Sequence, residues 1–258
     1  MDYIACCGTD IGTKRASNQD SVSVKVQVVN GIKNYFLIVC DGVGGLSMGE
    51  YASKSVRESL ERWFLYEYPG LIGIPDGKKS ILEQLRREIL TENEILFTYG
   101  QERGLQLGTT VSALLLTERH YYIAHVGDSR IYRLGRELIQ ITEDQTLIER
   151  KIRQGLLTRE QAKREPGQNI ILQCVGSRPD VEVLLYHGEY SPDEGFMVCS
   201  DGFYHRIRQK EIIKSFYGKK CSSTERLGQE IKRQIRRVKR RGERDNISVA
   251  VIRKERVR

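Results

Sequence analysis

The sequence has no apolar run long enough to cross a bilayer, and its first residues lack the basic and apolar segments of a secretory signal. We therefore expect a cytoplasmic protein without a transmembrane segment. Its six cysteines form no Cys-x-x-Cys pair and it has only four histidines, so little material is present for a zinc site. We interpret the cysteines as small buried residues in a reducing compartment.

Two common routes to phosphate chemistry are also absent. No cysteine is followed by arginine six positions later, as a phosphocysteine mechanism would require, and no Gly-x-x-x-x-Gly-Lys-Ser/Thr loop occurs. Any phosphate chemistry must therefore depend on other residue types.

The composition is typical of a soluble globular protein, with 39% hydrophobic and 29% charged residues in 258. This length is sufficient to bury a sizeable core within one domain. We expect a single domain over residues 1–258, and a monomer.

The formal net charge is +8, and much of the basic excess lies in one segment near the C-terminus. Leu227, Ile231, Ile235 and Val238 recur there at helical spacing, which predicts an amphipathic helix with a solvated basic face. A nucleic-acid surface is the alternative, but no aromatic residues interleave with the charges for base stacking, so nucleic-acid binding is not favoured. The basic residues are Lys232, Arg233, Arg236, Arg237, Lys239, Arg240 and Arg241.

Aspartates recur beside apolar runs that are typical of buried strands. A carboxylate at the end of such a strand is costly to keep charged without a partner, so a cation or a dense set of donors is expected nearby. Four such residues come from distant parts of the chain, and together they predict one metal site with oxygen ligands. They are Asp41 after the run 36–40, Asp128 after 122–127, Asp201 after 196–200, and Asp245 before 247–252.

The order of the elements predicts an α+β protein, an α-β-β-α sandwich of two antiparallel sheets flanked by helix pairs. Strands follow one another in meanders and helices come in separate pairs, which argues against a doubly wound parallel sheet. Asn30-Gly31 predicts a tight hairpin turn that brings Asp20 near Asp41. Strands are predicted at about 3–9, 22–28, 36–41, 109–116, 120–126, 130–134, 138–141, 181–187, 196–199 and 246–253, and helices at about 47–64, 80–99, 209–217 and 224–240.

Three further features are interpreted from the sequence. Ser47 is predicted to cap the first helix. Residues 142–170 are highly charged and favour a lid or flap with only short helices. Asp144 either helps to shape this lid or is a solvated charge, and the second is expected. His125 lies in an apolar strand and is expected to be a structural histidine with its hydrogen bonds satisfied.

The predicted ligands indicate a particular chemistry. Carboxylates, and the carbonyl of Gly42 directly after Asp41, are hard oxygen donors, which select Mg²⁺ or Mn²⁺ over zinc or copper. Several carboxylates in one site would repel one another, so more than one ion is expected. Two such ions can lower the pKa of a shared water and present hydroxide to phosphorus, and Arg15 is suited to clamp a phosphoryl dianion. The sequence therefore favours hydrolysis of a phosphate ester.

Six short motifs, which span nearly the whole chain, resemble the metal-dependent serine/threonine phosphatases of the protein phosphatase 2C (PPM) family. The compact glycine-rich turn and the lid are most similar to its bacterial branch. One such motif alone would be weak, but six in the family's order are specific. The motifs are Arg15-x-x-Asn18-Gln19-Asp20, Asp41-Gly42-Val43-Gly44-Gly45, Gly108-Thr109-Thr110, Val126-Gly127-Asp128-Ser129-Arg130, Cys199-Ser200-Asp201-Gly202 and Arg244-Asp245-Asn246-Ile247-Ser248.

The resemblance implies a β sandwich flanked by helices and a centre of two Mn²⁺ or Mg²⁺ ions. It implies that Asp41 bridges both ions, that the Gly42 carbonyl helps to hold one of them, and that Asp201 and Asp245 hold the other. Asp128, together with Asp201, would take a possible third ion.

The resemblance also implies roles outside the metal ligands. Arg15 would bind the phosphate, and Asp20 would orient metal-bound water. The implied activity is hydrolysis of phosphoserine and phosphothreonine on proteins by a metal-bridging hydroxide, which reverses a bacterial serine/threonine kinase. A catalytically silent module that only binds phosphoproteins is the alternative, and the intact aspartates argue against it.

Two positions depart from the family's patterns. Val43 replaces a histidine that is a proposed general acid in the animal branch. His205 stands where many relatives have an acidic residue. His205 either donates a proton to the leaving group, or packs or faces solvent beyond the turn, away from the metals. The second interpretation is favoured because four residues separate it from Asp201.

Overall fold

The computed structural model describes residues 3–43, 48–73, 76–162, 164–167, 170–217 and 222–255. Within these ranges the chain forms ten strands. They are β1 (Tyr3–Asp10), β2 (Asp20–Val29), β3 (Ile32–Asp41), β4 (Val111–Leu116), β5 (His120–Val126), β6 (Arg130–Leu134), β7 (Leu138–Gln140), β8 (Leu184–Glu189), β9 (Gly195–Cys199) and β10 (Ile247–Lys254).

The strands form two antiparallel sheets of five strands each in the described part of the chain. One sheet has the order β1-β10-β9-β6-β7, and the other has the order β2-β3-β4-β5-β8. The N-terminal and C-terminal strands pair along their full length, from Tyr3 opposite Lys254 to Asp10 opposite Ile247. Residues far apart in the sequence therefore meet at the same end of the sandwich.

The described helices lie outside the two sheets. A π-helical turn (Trp63–Glu67) and a 3-10 turn (Tyr68–Leu71) extend the first helix, and a second π-helical turn (Ile213–Tyr217) extends the sixth. The α-helices are α1 (Gly49–Arg62), α2 (Gly77–Arg103), α3 (Leu147–Arg153), α4 (Arg159–Ala162), α5 (Asp201–Tyr204), α6 (Gln209–Ile212) and α7 (Thr224–Arg240).

Strand β3 shows why the sandwich needs two outer layers. Side chains of a strand point alternately to opposite faces, and those of Leu37 and Val39 enter the core between the sheets. Phe36 and Ile38 enter a second core, formed with α1 and α2. All four are fully buried, which requires cover on both faces and explains the unbroken apolar run.

A third core lies under the other sheet, where α7 packs its apolar stripe. Leu227, Ile231 and Val238 are fully buried there, and Ile235 is nearly so, so the predicted helix spacing is confirmed. With one helix layer on each sheet, the predicted α-β-β-α sandwich is confirmed as well.

Several element boundaries differ from the predictions. Helix α2 extends to Gly77–Arg103, and strand β8 begins at Leu184, three residues later than predicted. The short helix α5 was not predicted, because four residues are too few to show a helical period. Ser47, the predicted cap of α1, lies outside the described residues. Five of the cysteines are described, and none of these forms a disulfide.

Candidate active site

The β2–β3 hairpin places the first two acidic residues of the site together. Asn30 and Gly31 both have positive φ angles, of 52° and 77°, as a tight hairpin turn requires. The register that follows from this turn pairs Asp20 with Asp41 at the far end of the hairpin. The predicted proximity of these two residues is therefore confirmed.

Strand ends from both sheets supply the remaining carboxylates. The Asp41 carboxylate interacts electrostatically with those of Asp20, Asp128, Asp201 and Asp245. The structure thus brings all of the predicted acidic residues to one end of the sandwich.

A serine links the two sheets beneath this cluster. The buried Ser200 hydroxyl donates to Asp20 Oδ2 at 3.0 Å. It also accepts from the backbone N–H of Ser248 at 3.0 Å. Ser200, between β9 and α5, thus fixes the Asp20 side chain relative to the opposite sheet.

Gly42 follows Asp41 where three backbone segments approach one another. A Cβ atom at this position would lie 2.6 Å from the carbonyl oxygen of Gly49 and 2.7 Å from that of Gln19. The backbone N–H of Gly42 donates to the Gln19 carbonyl at 3.2 Å. Only glycine fits here without a shift of the backbone.

Loss of water and mutual repulsion dominate the electrostatics of the cluster. Burial, followed by the charge of Asp20, raises the pKa of Asp41 well above its usual range. Burial raises the pKa of Asp20 to about 7. It also raises the pKa values of Asp128 and Asp201, and the neighbouring carboxylates add to both effects. The ionised forms therefore need a source of positive charge.

The oxygen atoms of the cluster fit divalent cations. Among the described residues, Asp20 Oδ1 and Asp128 Oδ1 are buried and have no hydrogen-bond partner, which is costly for a carboxylate. Hard carboxylate oxygens are the ligands that Mg²⁺ and Mn²⁺ prefer. Within the ranges that the structure describes, however, no three His, Cys, Asp or Glu side chains already surround a common point. Metal binding at the cluster therefore requires side-chain rearrangement.

Arg15 pairs with Asp245, one of the side chains that would have to rearrange to bind a metal ion. Its Nε atom donates to Asp245 Oδ1 at 2.7 Å, and its terminal NH2 group donates to Asp245 Oδ2 at 2.5 Å. Both oxygens of a predicted metal ligand are thus paired with the residue predicted to bind phosphate. The sequence places Arg15 at the site, but it does not predict this partner.

A half-buried ion pair ties the start of the 142–170 segment to the site. The Arg130 guanidinium donates to both oxygens of Asp144, with distances of 2.6 to 3.1 Å. It also lies 3.7 Å from the centre of the Tyr204 ring, whose hydroxyl donates to the Asp128 carbonyl at 3.2 Å. The expectation that Asp144 is a solvated charge is wrong, because its side chain is only 12% exposed. A basic residue two positions after Asp128 was the available signal.

The two histidines singled out in the sequence occupy different environments. His125 is buried, and its ring nitrogens lie 2.9 Å from the Ser112 hydroxyl and 3.1 Å from the carbonyls of Gly127 and Glu143. Burial lowers the pKa of His125 to about 4, so its structural role is confirmed. His205 Nδ1 lies 3.8 Å from Asp201 Oδ2, so the expectation that the loop carries His205 away from the cluster is wrong.

The basic face of α7 is partly neutralised within the protein. Lys239 forms an ion pair with Asp10 at 2.7 Å. Arg241 donates to both oxygens of Glu211 at 2.7 Å, and Arg237 lies 3.7 Å from the same carboxylate. These pairs give part of the basic segment a structural role.

An α-β-β-α sandwich with a crowded carboxylate cluster at one end is the architecture of a metal-dependent phosphate ester hydrolase. The family model described as Protein phosphatase 2C matches residues 7–238. The chain belongs to the protein phosphatase 2C family.

Its relatives include bacterial phosphatases of similar length. A protein phosphatase 2C-type protein of Streptococcus pyogenes is 33% identical over 250 residues, which are 96% of each chain. The protein phosphatase PhpP of Streptococcus pneumoniae is 29% identical over 95% of this chain and 94% of its own. The resemblance read from the sequence motifs is therefore confirmed.

Solved structures agree with this fold. The serine/threonine phosphatase of S. agalactiae superimposes with a TM-score of 0.83 and 28% identity, over 98% of this chain and 100% of its own. The catalytic domain of the serine/threonine protein phosphatase PstP, in complex with two manganese ions, gives a TM-score of 0.78 and 27% identity over 97% of each chain. In the described residues, no helix is long and apolar enough to span a membrane.

Proposed function

We propose that the aspartate cluster is the metal centre with which this serine/threonine protein phosphatase of the 2C family hydrolyses phosphoserine and phosphothreonine on proteins. The observation that carries the proposal is the convergence of five carboxylates whose buried oxygens include two that lack a hydrogen-bond partner in the described part of the chain. Bound divalent cations would offset the repulsion between the carboxylates and would serve as partners for the two unpaired oxygens.

Each ligand is assigned from the sequence motifs and is supported by its place in the cluster. Asp41 would contact two Mn²⁺ or Mg²⁺ ions, and the Gly42 carbonyl would help to hold one of them. Asp201 and Asp245 would hold the other ion, and Asp128 with Asp201 would hold a third. When bound, such ions activate water as a nucleophile and neutralise charge on the phosphoryl group. The two manganese ions in the PstP structure support a core of two ions.

Arg15 would position the phosphoryl group of the substrate. Its guanidinium faces Asp245 and also interacts with the charges of Asp41 and Asp201, so it borders the cluster. A planar guanidinium binds two phosphoryl oxygens in the way it now binds two carboxylate oxygens. We infer that Arg15 turns from Asp245 to the phosphoryl group when the site is loaded.

Asp20 would orient the attacking water. The Ser200 hydroxyl occupies its Oδ2, while Oδ1 has no partner among the described residues and remains available to accept a hydrogen bond. Because Ser200 fixes the side chain, the free oxygen is held in a constant direction.

The direct test is release of phosphate from a phosphothreonine peptide. We expect release to require Mn²⁺ or Mg²⁺, to stop with EDTA and to resume when Mn²⁺ is restored. Asp193→Asn, at an exposed residue, provides a control for handling. Turnover that persists in EDTA, or a protein that binds the peptide without cleaving it in Mn²⁺, would contradict the proposal.

We extend the proposal to the biological setting of the protein. We propose that residues 1–258 form one catalytic domain that acts as a cytoplasmic monomer and reverses a serine/threonine kinase. Mass photometry of the purified protein and phosphoproteomics of a deletion strain would test these points. Dimers at nanomolar concentration, or unchanged phosphoserine and phosphothreonine levels, would contradict them.

A further inference from the structure

An open cleft of about 620 Å³ lies beside the aspartate cluster. Arg15 and Asp245 form the wall that the cleft shares with the cluster. Lys14, Arg206, Glu243 and Arg244 line the rest of it together with His205. A phosphoryl group bound at Arg15 would therefore have its peptide flanks beside this second group of side chains.

The cleft carries an excess of positive charge. Arg15 is compensated by Asp245, at 2.5 Å, and Arg206 Nε lies 3.7 Å from Glu243 Oε2. Lys14 and Arg244 are both exposed, and no carboxylate of the described residues forms an ion pair with either. The positive charges of Lys14 and Arg244 thus line the cleft, and no carboxylate of the described residues neutralises them.

Glu243 contributes little negative charge to the open side of the cleft. Its side chain is 9% exposed, and its Oε1 accepts from the backbone N–H groups of Arg244, at 2.8 Å, and Asp245, at 3.1 Å. These bonds hold the carboxylate against the backbone of its own loop. Glu243 therefore shapes the loop rather than neutralising the cleft.

The two loops that carry the cations are joined to each other. The Thr13 hydroxyl donates to the Glu243 carbonyl at 2.6 Å, and the Lys14 backbone N–H donates to the Arg244 carbonyl at 3.3 Å. Gly12, at a φ of 78°, approaches so closely that a Cβ atom would lie 1.9 Å from the Asp245 carbonyl oxygen. The cationic rim is thus built on a tightly packed backbone.

We propose that this cleft selects phosphopeptides whose residues beside the phosphoserine or phosphothreonine are acidic. The inference rests on the proposed phosphatase function and adds a substrate class to it. Carboxylates of the flanking residues would pair with Lys14 and Arg244, and Arg206 could join them. A basic flank would meet like charge, which disfavours binding.

The test compares three peptides with the same phosphothreonine and with acidic, neutral or basic flanks. An exposed ion pair changes an equilibrium by about 1.5- to 5-fold, so two or three pairs predict a ratio of kcat/KM, acidic over neutral, of roughly tenfold. Raising the salt from 50 mM to 500 mM should reduce this ratio, because exposed charges are screened.

A double variant locates the effect. Lys14→Gln with Arg244→Gln should bring the acidic-to-neutral ratio near one, and the ratio cancels any general loss of activity. Lys79→Gln with Arg119→Gln also removes one lysine and one arginine charge, but at positions outside the cleft, and should keep the wild-type ratio. A ratio of one in wild type, or equal losses in both double variants, would overturn the proposal.

A binding measurement distinguishes the proposed flank preference from the proposed phosphatase function. Fluorescence anisotropy of the labelled peptides with the wild-type protein in EDTA, without turnover, should show tighter binding of the acidic peptide. If that preference holds but no peptide is cleaved in Mn²⁺, the proposed function fails and the cleft assignment stands. If all peptides are cleaved and bound equally, the cleft assignment fails and the phosphatase function stands.

Discussion

Replacing Asp20 with asparagine should stabilise the metal-free protein at alkaline pH, although the residue is buried and hydrogen bonded. Burial raises the pKa of Asp20 from 3.8 to about 7, because the folded protein disfavours the ionised carboxylate. Asparagine has nearly the same shape, and its amide oxygen can still accept from the Ser200 hydroxyl, which lies 3.0 Å from Asp20 Oδ2. The substitution therefore removes the charge and keeps the contact.

The pKa shift sets the magnitude of this effect. One pKa unit corresponds to about 1.36 kcal/mol, so a pKa of about 7 in the folded state against 3.8 predicts a penalty of about 4 kcal/mol. Since the folded-state pKa is raised, the penalty is absent below pH 4, grows between pH 4 and pH 7, and is complete above pH 7. For a chain of this size, it corresponds to roughly 8–16 °C in Tm.

The assay is thermal unfolding in EDTA, followed by circular dichroism at pH 8 and pH 5. Asp20→Asn should raise Tm at pH 8 and should raise it by less than half as much at pH 5, where the folded wild-type protein has already bound the proton. Asp193→Asn, an exposed control, should change Tm little at either pH. An equal gain at both pH values, or a loss at pH 8, would refute the electrostatic reasoning.

Other variants test individual roles. Asp41→Asn should remove measurable Mn²⁺ binding in titration calorimetry, and wild-type binding would disprove its place as a shared ligand. Asp128→Ala should still bind two ions, so a stoichiometry below two would move Asp128 into the core. Arg15→Ala should raise KM for a phosphopeptide and leave Mn²⁺ affinity equal or higher, because Asp245 is released; weaker Mn²⁺ binding would contradict this. His205→Gln should slow hydrolysis of a phosphothreonine peptide about 10²-fold more than that of p-nitrophenyl phosphate, whose leaving group needs no proton. Equal slowing of both reactions would assign His205 a structural role.

Elements with a strong pattern over many residues were predicted well. Helix α7 was predicted over 224–240 and is observed at Thr224–Arg240, because its apolar residues recur through four turns. Strand β3 was recognised from its unbroken apolar run, which two cores bury on its two faces. In both cases the burial pattern is a local property of the sequence.

The candidate ligands were predicted for a related reason. Each of Asp41, Asp128 and Asp201 follows an apolar strand, and Asp245 precedes one, so their positions in the sequence indicate where strands surface. The hairpin register could also be foreseen, since Asn30-Gly31 specifies the turn that pairs Asp20 with Asp41.

Contacts between distant side chains could not be predicted in this way. Arg130, two positions after Asp128, was a signal in the sequence for a charge partner near the site, but only the packing of β6 beside the 142–170 segment pairs it with Asp144 in a half-buried ion pair. The position of His205 depends on α5, which turns the chain back so that the ring lies 3.8 Å from Asp201 Oδ2.

The sequence by itself determined the fold class and the set of acidic residues at the site, because these depend on periodicity and on residue types at strand ends. It also indicated the family, through the resemblance of its six motifs. The tertiary structure alone decided which charges face one another. It placed Arg15 on Asp245, left Lys14 and Arg244 open to the neighbouring cleft, and crowded five carboxylates together. Charge pairing depends on distances of a few ångströms between residues that are up to 230 positions apart, and such distances exist only after the two sheets have packed.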